Sequence, residues 1–120
     1  MRRKASLYIK DMIDAITKIE EFVKDMDFNY FIQDDKTASA VIRKIEIIGE
    51  AAKQLSKEVK ERFPEIPWNL MAKTRDKIIH FYHGVDYEIV WEIIKKDLPS
   101  LKMQLLKIYH ILMKEEANLR

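Results

Sequence analysis

The chain has 120 residues, with 22 Lys and Arg against 20 Asp and Glu, no cysteine, and 48% hydrophobic beside 35% charged residues. That size suits one compact domain spanning 1–120, and enough apolar surface is present to exclude disorder. Without cysteine there are no disulfides, thiolate nucleophiles or thiolate metal sites, and a formal net charge of +2 is too small to hold nucleic acid by bulk electrostatics, so any such contact must be local.

Ile9, Met12, Ile16, Ile19, Val23 and Met26 alternate spacings of three and four, which predicts a first helix from about Ala5 to Met26. Asp27 to Asp34, with Phe28, Tyr30 and Phe31, breaks the pattern and reads as a connection pinned by aromatic rings. A second helix is expected from about Asp35 to Arg62, because Ala38, Val41, Ile45, Ile48, Ala52, Leu55 and Val59 keep the same alternation. Gly49 in its middle costs helix stability relative to alanine and is best used for the close approach of another helix.

Pro64 and Pro67 bracket a turn, so a third helix should start at Pro67 or Trp68 and run to about Phe81. Gly84 and Asp86 make the next break, with Asp86 placed to cap a fourth helix from Tyr87. Its stripe, Tyr87, Val90, Ile94, Leu98, Leu101, Leu105, Ile108 and Leu112, passes through Pro99, where a kink or break is expected. Two glycines and three prolines in the chain leave little turn chemistry for hairpins, and the abundant Ile, Leu, Lys, Glu and Ala favour helices. The expected fold is all-α: an up-down four-helix bundle with a kinked or broken last helix. Charged residues interrupt every apolar run before the roughly 18 residues of a membrane span, and Lys10 follows Leu7 too closely for a signal-peptide core. The expectation is a cytoplasmic protein with no membrane contact.

The segment Arg75-Asp76-Lys77-Ile78-Ile79-His80-Phe81-Tyr82 concentrates a fixed cation, a carboxylate, an imidazole and a phenol. Arg75 can grip a phosphate through its planar fork, and His80 can move protons near neutral pH, so together they suit phosphodiester cleavage. Asp76 lies four residues before His80, a spacing at which one helix face would let it orient the imidazole. Arg75 and His80 would lie about 140° apart on that helix, which a twofold dimer bringing two segments together could remedy. The alternative from spacing alone is that Arg75 and Asp76 are surface charges and His80 packs near a helix end. No metal site is expected: His80 and His83 offer two ligands at most, beside a repelling Arg75, and no Glu-x-x-His pair occurs. Ser6, Ser39, Ser56 and Ser100 lack an elbow setting, and no phosphate-binding glycine loop is present. Trp68 and Trp91 are expected to pack, and His110 to lie on the surface.

Arg75, Asp76, His80 and Tyr82 resemble the HepT-like branch of the HEPN superfamily, whose extended motif is Arg-x4-His-x-Tyr. The likeness extends to IIGEAAKQLS at 47–56, FPEIPW at 63–68 and GVDYEIVWEIIKKDLP at 84–99, with one departure: Phe81 stands where similar proteins often carry glycine. The resemblance implies a homodimeric, metal-independent endoribonuclease without a cofactor, acting on RNA as a toxin through Arg75 and His80. It further implies a small nucleotidyltransferase antitoxin as partner, which adenylylates the motif tyrosine, here Tyr82. The alternative is a non-catalytic HEPN domain that binds a nucleotidyltransferase or a nucleotide.

Overall fold

A computed structural model describes residues 3–80 and 84–119, with the backbone alone at positions 75, 79 and 80. Helix α1 spans Ala5–Phe22 and buries Ile9, Met12, Ile16 and Ile19 completely. It stops four residues short of the expected Met26 because Asp25 takes a left-handed conformation, φ 64°, a geometry that ends helices. The expected connection is itself a short helix, α2, Phe28–Gln33, capped by Asp27, whose carboxylate accepts from the Tyr30 N–H at 2.8 Å. Two of its three aromatic residues, Phe28 and Phe31, pin it against Trp91, whereas Tyr30 is exposed. Phe31 is fully buried, with its ring 5.0 Å from Trp91 and 6.3 Å from Tyr87.

Helix α3, Asp35–Gln54, is followed by a second helix, α4, Lys57–Arg62, where the periodicity predicts one continuous rod. Leu55 turns extended, ψ 143°, and the Ser56 hydroxyl accepts from the Val59 N–H at 3.2 Å, restarting the helix. A serine side chain offers the backbone this alternative to the helical ladder. Leu55 remains buried, so the apolar pattern is kept although the helix is not.

Helix α5, Trp68–Ile78, begins after Pro67 as expected. It ends three residues before the expected Phe81. Two short strands, β1 at Ile79–His80 and β2 at Gly84–Val85, pair antiparallel, Ile79 with Val85 and His80 with Gly84. The Asp86 N–H donates to the Ile78 carbonyl at 2.7 Å, so the end of α5 is satisfied by the returning chain and not by another helical turn. The β-branched Ile79 and the glycine at φ 80°, Gly84, suit that hairpin.

Helix α6, Tyr87–Glu92, is capped by Asp86 through the Ile89 N–H at 3.2 Å. It runs through a π-helical turn, Ile93–Asp97, into α7, Leu98–Asn118, with Leu98 still helical at φ −65°, ψ −39°. The chain therefore does not break at Pro99. The Leu98 N–H bonds the Ile93 carbonyl, five residues back, so the missing N–H of Pro99 falls where the hydrogen-bond register is already changing.

The structure is mostly helical, with the hairpin as its one pair of strands among the described residues. Helix α1 packs against α3 and α7, and α3 packs in turn against α5. Trp68 and Trp91 pack as expected: Trp68 is 6% exposed, with its indole N–H donating to the Phe63 carbonyl at 3.0 Å. No helix among the described residues is long and apolar enough to cross a membrane.

Candidate functional site

Helix α5 owes its position to Gly49. A Cβ there would stand 2.9 Å from the Met71 carbonyl oxygen and 3.7 Å from the Ala72 Cα, so the α5 backbone rests directly on α3. Trp68, Met71 and Ile78 face inward and are buried. The opposite side of α5 is polar: Lys73, Asp76 and Lys77 are exposed, and Arg75 lies among them in the chain. The Thr74 hydroxyl donates back to the Leu70 carbonyl at 2.8 Å.

The sequence-predicted residues thus fall on two elements. Arg75 and Asp76 belong to the last full turn of α5, whereas His80 is the second residue of β1. The helix-face relation expected between Asp76 and His80, and the 140° separation of Arg75 from His80, do not apply, because the helix has ended at Ile78 before His80 is reached. Tyr82, Phe81 and His83 lie outside the described residues, as do the side chains of Arg75 and His80. What is fixed is the scaffold: a helix seated on α3, a two-residue strand leaving its end, and a return strand locked by Gly84, the Asp86 N–H and the Asp86 cap. Among the described residues no three His, Asp or Glu side chains converge as metal ligands would.

Next to this scaffold the π turn presents Lys96, whose ammonium bonds Glu92 at 2.9 Å. That bond holds the Glu92 carboxyl below the usual carboxylate range, and the charge of Lys77 adds to the pull, which places α5 and α6 in one electrostatic neighbourhood. A groove lined by Leu70, Thr74 and Lys77 of α5 and by Lys96 and Gln104 opens beside them. The sequence singled out none of these five. Leu70, Thr74 and Lys77 do share a helical spacing of four and three, but Lys96 and Gln104 join them only in three dimensions. His110 is exposed on α7, its ring against that of Tyr109 at 6.1 Å, which agrees with its assignment to the surface.

The family model described as Ribonuclease HepT-like matches residues 12–108, a stretch that includes α5, β1 and β2. A protein of Thermococcus cleftensis named "Probable ribonuclease HepT" is 49% identical over 102 residues, which cover 85% of this chain and 93% of that one. A protein of Caldanaerobacter subterraneus named "Putative RNase" is 40% identical over 109 residues, 91% of this chain and 95% of its own. In Methanocaldococcus jannaschii, a "Gamma-glutamylcyclotransferase and putative RNase" is 42% identical over 118 residues; the match takes in 98% of this chain and 53% of that longer protein, so the chain spans about half of it. No solved structure matches.

Proposed function

Because the chain belongs to the HepT-like ribonuclease family of the HEPN superfamily, we propose that it is a metal-independent endoribonuclease, the toxin of a toxin-antitoxin pair, with Arg75 and His80 as its catalytic residues. The observation that carries this reading is that the family match at 12–108 includes the whole Arg75 to Tyr82 segment, whose described part, 75–80, lies at the end of the helix resting on α3 and in strand β1. Arg75 would bind the scissile phosphate through its guanidinium fork, and His80 would take up a proton from the attacking hydroxyl or return one to the leaving oxygen. Asp76 would orient that imidazole from the end of α5. The chain forms one domain over 1–120, a four-helix bundle of α1, α3, α5 and α7, acts in the cytoplasm, and pairs as a homodimer whose two segments share one cleft.

Control falls to Tyr82. A small nucleotidyltransferase antitoxin would transfer adenylate from ATP to the phenol oxygen, releasing pyrophosphate. The added nucleotide would occupy the cleft and set a negative phosphate against Arg75.

One set of assays tests both parts. RNA cleavage should persist in the presence of a chelator and fall by about 10²–10⁴-fold in His80→Ala, and Arg75→Ala should be comparably impaired, with helical circular dichroism unchanged in both. Parent-level cleavage by both folded variants would remove the assigned site. With the nucleotidyltransferase and ATP, mass spectrometry should find adenylate on Tyr82, and Tyr82→Phe should stay active. Inhibition with the nucleotide elsewhere would overturn the control mechanism and leave the catalytic assignment standing.

A further inference from the structure

Beside α5 lies a groove of about 320 Å³, bounded by α3, α5, the π turn and the first turns of α7. Its size falls at the lower end of the roughly 300–1,000 Å³ typical of small-ligand sites. Ile48, Leu70, Ile93 and Leu101 give it an aliphatic lining, of which Leu70 is half exposed and the other three are buried. Flat aromatic ligands, nucleobases among them, are held between such apolar side chains.

We infer that this groove receives an unstacked nucleobase of the single-stranded RNA, next to the phosphate held by Arg75, and so is a binding subsite of the ribonuclease. The inference rests on the proposed function and adds to it where the neighbouring nucleotide goes. Thr74 and Lys77 line the groove from α5 itself, and Arg75 lies between them in the chain. Along the α5 axis a strand gripped at Arg75 would have less than one helical turn to cover to reach the groove.

The polar lining suits a base edge. Gln104 carries both a donor and an acceptor, Asp97 accepts from an exocyclic amino group, and the Thr74 oxygen keeps lone pairs after its proton goes to Leu70. Lys77 and Lys96 stand among these groups with ammonium charges for the flanking phosphates. Part of that charge is spent on Glu92, which bonds Lys96 and attracts Lys77. The π turn is a second, independent sign: single π turns inside α-helices recur at functional sites, and this one supplies Ile93, Lys96 and Asp97 to the groove.

The test uses the full chain and a short single-stranded RNA whose cleavage position has been mapped. Ser100 and Leu70 line the groove and are exposed, so Ser100→Trp and Leu70→Glu can fill or charge it without opening the core. Each should raise KM about tenfold while kcat stays within about twofold, since a base held equally in ground and transition states affects binding alone. Glu92→Gln should lower KM by freeing the two lysines. In His80→Ala, which binds without cutting, 2-aminopurine placed beside the cleavage position should change its fluorescence on binding, and Ser100→Trp should abolish that change. If the parent cuts RNA but KM ignores Ser100→Trp, Leu70→Glu and Glu92→Gln, and the fluorescence ignores Ser100→Trp, the subsite is refuted and the ribonuclease reading survives. If the groove variants instead shift the mass by light scattering, the groove is a subunit interface and the base assignment is wrong. A parent that neither binds nor cuts RNA overturns both.

Discussion

Ser6 sits 2% exposed in the first turn of α1, where backbone N–H groups have no partner within the helix. The residue in the capping position, Lys4, makes no side-chain cap bond. A carboxylate from the far end of the chain does the work: the Ser6 hydroxyl donates to Glu116 at 2.5 Å and the Ser6 N–H donates to its second oxygen at 3.2 Å. A negative charge at a helix N-terminus is favourable in its own right. Glu116→Ala should therefore cost about 1–3 kcal/mol, because it strands a buried hydroxyl and an N–H together. Ser6→Ala should cost less, since the half-buried carboxylate keeps the N–H bond and can turn toward water. Urea unfolding measures both, and equal midpoints for Glu116→Ala and the parent would show that the cap contributes nothing. No local spacing links residues 110 positions apart. Ser6 could be weighed from sequence only as a nucleophile, a role its burial denies.

At the scale of elements, apolar periodicity was informative wherever burial followed it. The stripes of α1, α3 and α7 are the buried faces, and the aromatic run at 28–31, the Asp86 cap and the start of α5 also lie where the residues put them. Periodicity fails where a polar side chain or a carbonyl finds a better partner off the helix. Ser56 divides α3 from α4 without disturbing the stripe, and the Asp86 N–H takes the Ile78 carbonyl, so α5 stops before His80. Strands of two residues carry no alternation to detect. The candidate site was thus legible as a list of residue types and not as a shape. Gly49 is the element-scale feature on which that shape depends. Overpacking costs about 1–3 kcal/mol, against about 1 kcal/mol that alanine regains in helix propensity, so Gly49→Ala should lose up to about 2 kcal/mol. The larger effect should fall on RNA cleavage. A Cβ at 2.9 Å from Met71 O pushes on the helix that carries Arg75, the proposed phosphate-binding residue, and a shift on the order of 1 Å in a catalytic group can cost about a hundredfold. A Gly49→Ala protein more stable than the parent and fully active would show that α5 is not fixed by this contact.

For the whole molecule, the formal charge of +2 means that RNA must be held by a few cations gathered in one place. Helix α5 gathers three, Lys73, Arg75 and Lys77, against one carboxylate, Asp76. Each phosphate of a single strand neutralised by a cation releases counterions, so the logarithm of affinity falls against the logarithm of salt with a slope of about −0.7 per contact. One α5 segment engaging three phosphates should give about −2, and a twofold dimer that lays one RNA strand across both copies should give about −4. The slope therefore reports how many copies form the binding site, a quantity that mass alone cannot supply. Fluorescence anisotropy of a labelled single-stranded RNA on His80→Ala, over a series of salt concentrations, measures it, with light scattering on the same samples. A dimer with a slope near −4 that falls to about −1.4 in Lys73→Gln, Lys77→Gln, which leaves one contact in each copy, places both α5 helices on the RNA. A dimer whose slope stays near −2 before substitution has two separate sites facing apart, and the shared cleft would have to be abandoned.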